Sequence, residues 1–311
     1  MEKLGEREPV RSVNPLSAAP SLAVQFFLIP LSVVAVIFAI YGGFRMMVAD
    51  ERSPEEYLTE VSSGGRDRRW PAAYELSRLM DDPEIEERFP DLGPALLRTF
   101  VESDGDDPRV RRYLALAIGR LRYPPSDSVA TLTGALDDPD PETLISVIWA
   151  LASLGDQAVV PRIVEMYQAQ DAGIRKMAVY ALGVLPDDGA HTTLRAALRD
   201  PVPDVQWNAA VSLARHGDDR GLVVLQRMLD REYVSKQVTP SGNVADPVGE
   251  VMISGVRAVA ALGQDGRIEA VRPTLAALAE ADESLKVRQA AMEAIAALER
   301  GTPRERVAER Q

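Results

Sequence analysis

The chain has 311 residues with 46% hydrophobic side chains, enough apolar content to build a core, which excludes disorder throughout. Aromatics make up only 5%, so much of the apolar content is Ala, Leu and Val, and an all-α chain is expected. Thirty-five basic against forty-seven acidic side chains leave a net charge of −12, which repels phosphate backbones and argues against a nucleic-acid binder, and the absence of cysteine excludes disulfides, thiolate nucleophiles and cysteine-ligated metal centres.

Residues 1–21 read as an N-terminal tail. No charge occurs between Arg11 and Arg45, and residues 22–44 form a 23-residue apolar run interrupted only by Gln25 and Ser32. At 1.5 Å per residue that run crosses about 30 Å of hydrocarbon. A secretory signal would have a shorter apolar core and a small-residue cleavage site. An uncleaved transmembrane helix over residues 22–45 is therefore expected, with Phe26, Phe27, Pro30, Tyr41 and Arg45 as its membrane contacts. Counting only the nearest residues favours the amino terminus inside, but Arg45 abuts the span and Arg66, Arg68 and Arg69 follow it, and on that count a cytoplasmic carboxyl-terminal domain is expected. Residues 46–65 read as a linker and a capping helix, started by Ser53-Pro54 and ended by Gly64-Gly65.

From residue 66 the chain repeats itself. Aligned on one helix-core position, Leu76, Ile118, Leu151, Leu182, Leu213, Val259 and Ile295 lie 42, 33, 31, 31, 46 and 36 residues apart. One position before this anchor stand Glu75, Ala117, Ala150, Ala181, Ser212, Ala258 and Ala294; seven before it stand Arg69, Arg111, Arg175 and Arg288, with Leu144, Gln206 and Met252 in the other units. In one unit Ile174, Ala178, Ala181, Leu182 and Leu185 share a helix face, and Leu194, Ala197 and Leu198 supply a second helix. Between the two, Pro186-Asp187-Asp188-Gly189 breaks the chain, as Leu154-Gly155-Asp156 and His216-Gly217-Asp218 do elsewhere. Asp107-Pro108, Asp140-Pro141 and Asp200-Pro201 place a capping acid before a proline and predict helix starts. The units are αα-hairpins that bury their second faces only by stacking.

The string V-R-x-x-A-x-x-A-L runs through Ile174-Arg175, Ala178 and Ala181-Leu182, through Val287-Arg288, Ala291 and Ala294-Ile295, and in altered form through Val110-Arg111, Leu114 and Ala117-Ile118. It resembles the bacterial HEAT-repeat family of the short type found in phycobilisome lyase-like proteins, over residues 66–299. The resemblance implies a HEAT/armadillo-type α-α superhelix of about seven units behind the membrane anchor, and a fold used by scaffolds, adaptors and some lyases.

Irregularities in such a stack mark candidate partner-binding residues. Arg66, Arg68, Arg69 and Trp70 join a basic cluster to the first repeat helix. Residues 231–250 are rich in turn formers and read as an inserted, projecting loop that carries Tyr233, Lys236 and Asn243. Residues 300–311 read as a charged tail. His191 and His216 fall at turns of different units and read as exposed residues, too few for a metal site, while Trp70, Trp149 and Trp207 read as structural helix residues. Paired aspartates recur with the repeat and serve capping, so no catalytic residue, cofactor, metal or small-molecule substrate is assigned. The expected function is a membrane-anchored scaffold or adaptor that binds another protein, an accessory subunit of a membrane complex such as a transporter, and not an enzyme. The acidic repeat region favours a basic partner. The alternatives are a lyase-type enzyme acting on a tetrapyrrole chromophore and an extracytoplasmic domain binding an envelope protein.

Overall fold

Apolar residues spaced three or four apart, bounded by capping acids and left-handed glycines, fold this chain into helices; the computed structural model describes residues 29–48, 52–185, 188–239, 245–263 and 269–300. Among those residues all regular structure is helical. The chain divides into two units, Met1–Ser53 and Pro54–Gln311.

In the first unit, α1 (Ile29–Val48) carries apolar side chains on every side, and residues 30–43 are all exposed. Among the described residues no helix is long and apolar enough to cross a membrane. The expected span begins earlier, and its residues 22–28, Phe26 and Phe27 among them, lie outside the described residues.

The second unit starts with α2 (Pro54–Ser63), followed by the first hairpin, α3 (Arg66–Leu79) and α5 (Leu92–Glu102), with the short α4 (Ile85–Arg88) between them. Next come α6 (Pro108–Gly119) with α7 (Ser128–Gly134), α8 (Pro141–Leu154) with α9 (Val160–Met166), α10 (Ala172–Val184) with α11 (Asp188–Ala197), and α12 (Pro203–Arg215) with α13 (Leu222–Met228). Helix α14 (Arg231–Gln237) intervenes before α15 (Pro247–Leu262) and α16 (Arg272–Ala281), and α17 (Leu285–Arg300) is the last described helix. Each first helix packs on the next, α3 on α6, α6 on α8, α8 on α10, α10 on α12, α12 on α15 and α15 on α17, while α2 covers α3. Six of the seven aligned anchors, Leu76 to Val259, are fully buried, and Ile295 on the last helix is half-buried. The core forms two clusters that meet along α12: Val205, Ala209 and Leu213 belong to one, Trp207, Ala210 and Ala214 to the other.

Small side chains at the anchor columns set the helix spacing. A Cβ on Gly119 would lie 2.6 Å from the Cα of Ala150, and one on Gly255 would lie 2.9 Å from the Cβ of Met228. Left-handed glycines end helices or turns where expected, Gly155 at φ 74° and Gly217 at φ 75°, and Asp156 and Asp218 accept from the N–H groups of Ala158 and Arg220 just beyond. Asp107 and Asp140 cap α6 and α8 as their sequence predicts. The Asp140 carboxylate accepts from the Thr143 N–H and hydroxyl, both at 2.8 Å. Asp140→Ala is expected to cost about 1 kcal/mol, read as a lower urea midpoint with unchanged helical circular dichroism.

Two local expectations are corrected. Asp200-Pro201 does not open a helix: α12 begins at Pro203, and Asp200 instead accepts from the Val202 N–H at 2.9 Å and from Arg175. Of the stretch expected as a projecting loop, residues 231–237 and 247–250 are helical and residues 240–244 lie outside the described residues. Its start is α14, capped by Asp230 and anchored by buried Val234, and its end is the first turn of α15, where Asp246 accepts from the Gly249 N–H. Turn-forming residues there are helix caps as well as loop formers.

Candidate functional site

The basic cluster on α3 is divided by the fold. Arg69 turns inward, donating to the Val61 carbonyl at 2.6 Å and pairing with Asp106, so that it ties α2, α3 and the entry to α6 together. Trp70 is half-buried, and the Arg109 guanidinium lies 4.7 Å above its ring while holding Asp107 at 2.7 Å. That side-chain hydrogen bond from Arg109 keeps the Asp107 carboxyl below its ordinary pKa. Arg66 and Arg68 are exposed, and Arg68 lies 3.5 Å from Glu60. Arg69 and Trp70 thus belong to an acid-compensated joint, while Arg66 and Arg68 stay on the surface.

Arginine seven positions before the anchor plays the same part in later units. Arg111 pairs with Asp138 at 2.8 Å and Arg175 with Asp200 at 2.9 Å, each reaching the acid that precedes the next first helix. Where the column reads Gln206, its amide donates to the Asp200 carbonyl at 2.6 Å. Where it reads Met252, the role passes to Arg231 on α14, which binds Asp282 through two hydrogen bonds of 2.6 and 3.0 Å and Glu283 at 3.0 Å. Hydrogen bonding to Asp282 raises the Arg231 pKa, so this cation keeps its charge at any ordinary pH. Of the other candidates on this stretch, Tyr233 packs half-buried against the core, Lys236 is exposed and pairs with Glu232 at 2.7 Å, and Asn243 lies outside the described residues.

His191 and His216, read as exposed turn residues, are half-buried neighbours with ring centroids 5.1 Å apart. Among the described residues no group of three or more histidines and carboxylates is placed to hold a metal.

The aligned units hold a further pattern. Six and two positions before the anchor lie on one helix face, one turn apart, and there stand Trp70, Tyr74, Trp149, Tyr180 and Trp207; Tyr113, five before its own anchor, adjoins them. Tyr74 and Tyr113 meet edge to face with centroids 5.1 Å apart, and Arg120 lies over Trp149 at 5.3 Å. Trp70, Tyr113, Trp149 and Tyr180 are half-buried, Tyr74 is 39% exposed, and Trp207 is buried at 5%. This aromatic row crosses five consecutive first helices.

At its α12 end the row borders a pocket of about 230 Å³ lined by Lys176, Tyr180, Trp207, Asn208, Arg215 and Met228, among others. Lys176 pairs with Asp204 at 2.8 Å, and the Asn208 amide donates to the Asp204 carbonyl at 2.8 Å. The buried Trp207 Nε1–H has no acceptor among the described residues. None of these residues was singled out as a binding residue from sequence; the offsets of six and two from the anchor carry the signal.

Known proteins match at the level of fold. The HEAT-repeat family model matches residues 95–183 and 160–238. The complex of CpcE and CpcF of phycocyanin lyase from Nostoc sp. PCC7120 is similar to this chain with a TM-score of 0.51 and 17% identity, covering 81% of this chain and 96% of that one. An engineered protein shares 19% identity at a TM-score of 0.45, covering 80% of this chain and 69% of its own. A designed armadillo repeat protein in complex with the peptide (KR)4 shares 15% identity at a TM-score of 0.40, covering 80% of this chain and all (100%) of its own. No curated protein matches. HEAT repeats are matched over residues 95–238, and the fold is an all-α repeat stack similar to that of the CpcE and CpcF complex.

Proposed function

We propose that the chain is a membrane-anchored adaptor whose repeat scaffold binds another protein, as an accessory subunit of a membrane complex such as a transporter, with the repeats on the cytoplasmic side. The aromatic row carries the protein-binding reading. Trp and Tyr offer large contact area at low conformational cost and are enriched at the centres of interfaces. Five of the six are left partly accessible in a chain with only 5% aromatics. For the anchor, the support is the apolar surface of α1, where Leu31, Val33, Val36, Ile37, Phe38 and Ile40 are each more than half exposed. A helix apolar all round needs lipid or protein around it.

Crosslinking in native membranes, followed by purification in mild detergent, tests both parts. One polypeptide is expected to co-purify with the full chain and to be lost with the variant Tyr74→Ala/Trp149→Ala. Recovery of nothing above background, or equal recovery with that variant, overturns the adaptor reading. The chain is expected to resist carbonate extraction from membranes, and release by carbonate overturns the anchor.

A further inference from the structure

We infer that the free face of α17 docks a second copy of this chain, α17 against α17 and antiparallel. The interfaces inside the stack show what that face is built to bury. Three positions before the anchor stand Ala73, Ala115, Ile148, Val179, Ala210 and Val256, each at 0% exposure, with the next first helix packed on their own. The same position on α17 is Met292, 53% exposed. Seven before the anchor, Arg69, Arg111 and Arg175 each pair with an acid that precedes the next first helix. Arg288 holds that position on α17 and forms no ion pair among the described residues. Leu285, Arg288, Met292, Ala296 and Glu299 follow one another at three- and four-residue steps, opposite the buried Val287, Ala290 and Ala294. They form one stripe about 21 Å long. Leu285 at its start is 71% exposed.

The stripe's own charges select its occupant. At the other end of the stack α2 covers α3, so a second copy offers no open first helix there, and copies cannot add head to tail. It does offer its own α17, and a face that meets itself closes after two copies. Arg288 stands near one end of the stripe and Glu299 near the other. Parallel helices would set arginine against arginine and glutamate against glutamate, whereas antiparallel helices set each Arg288 against Glu299 of the other copy. Met292 and Ala296 then fill the middle, and the alanine permits a close approach, as small residues do within the stack. The net charge of −12 opposes self-association in general, but α17 carries three bases and two acids, so this face is not where the repulsion sits. One helix pair is a small interface, and a micromolar dimer is expected.

The chain has no cysteine, so Met292→Cys supplies the only thiol, within two residues of the two-fold axis that the Arg288–Glu299 register defines. Mild oxidation of the full chain, in detergent and in native membranes, is expected to give a disulfide-linked product of twice the chain mass. Lys286→Cys, exposed on another side of α17, is the control and is expected to give about fivefold less. In the Met292→Cys background, Arg288→Glu is expected to lower the product about fivefold, and Arg288→Glu/Glu299→Arg to restore it. No doubled product, equal product from Lys286→Cys, a crosslink to a different polypeptide in its place, or a charge-exchanged variant that stays as low as Arg288→Glu overturns the inference. Should Arg288→Glu fail to fold, Glu299→Arg, an exposed change, serves as the single variant.

Discussion

Gly183→Ala is expected to destabilise the repeat unit by about 2 kcal/mol, and Ser212→Gly is expected to restore much of that loss. On helix propensity alone the first change should help, because alanine is favoured over glycine by about 1 kcal/mol within a helix. Packing reverses the sign. A Cβ at position 183 would overlap the hydroxyl and Cβ of Ser212 on the next first helix, in a contact that is otherwise sealed. Removing the serine side chain leaves only its Cα, 3.2 Å from the new methyl, a separation that a small shift relieves. Gly119→Ala is the control. There the nearest atom is the Ala150 Cα at 2.6 Å, which is backbone, so truncating the facing residue cannot relieve it. Urea midpoints of the two single variants and their double variant measure the coupling. Additive losses would show that stacking distance is not set at these glycines.

These glycines illustrate how far the sequence reaches. The anchors, the small residues beside them and the Asp-Pro and Leu-Gly-Asp signals are local patterns, and the helices built on them lie where the patterns place them except at Asp200-Pro201, where α12 starts two residues later. Residues whose partner is remote were harder to read. Arg231 stands outside the arginine column, yet it binds Asp282, fifty-one residues away, because α14 packs on α15 and holds the guanidinium against the acid that precedes α17. The 231–250 stretch reads as a loop for the same reason: turn chemistry and capping chemistry use the same residues, and only packing of Val234 separates them. Arg69 and Trp70 look like a surface patch until Val61, Asp106 and Arg109 are placed around them. The aromatic row was legible in principle. It lies six and two positions before the anchors, but alignment on buried columns directs attention to what repeats, and a binding face varies in residue type from unit to unit.

The largest electrostatic effect is expected at Asp200, where substitution by alanine should cost about 3 kcal/mol at neutral pH. Its side chain is only 3% exposed and Arg175, its partner, 13%. Burial by itself would raise the Asp200 pKa, but hydrogen bonds from Arg175, from the Val202 N–H and from the Tyr167 hydroxyl outweigh burial, and the carboxyl is held below its ordinary value. Removing the acid strands the guanidinium, which keeps only the Ala169 and Gln170 carbonyls at 3.0 and 2.8 Å. That residual pairing places the cost at the lower end for a broken buried pair. The pH dependence has a definite sign. A carboxyl whose folded-state pKa is depressed contributes stability that is fully present above its unfolded value, near pH 4, and is lost as the pH falls through the folded value. The gap between wild type and Asp200→Ala is therefore expected to be constant from pH 7 to about pH 5 and to narrow below about pH 4. Urea unfolding across that range measures it. A gap that stays level into acid would mean that the ion pair is not what Asp200 contributes, and that its role is confined to capping Val202 ahead of α12.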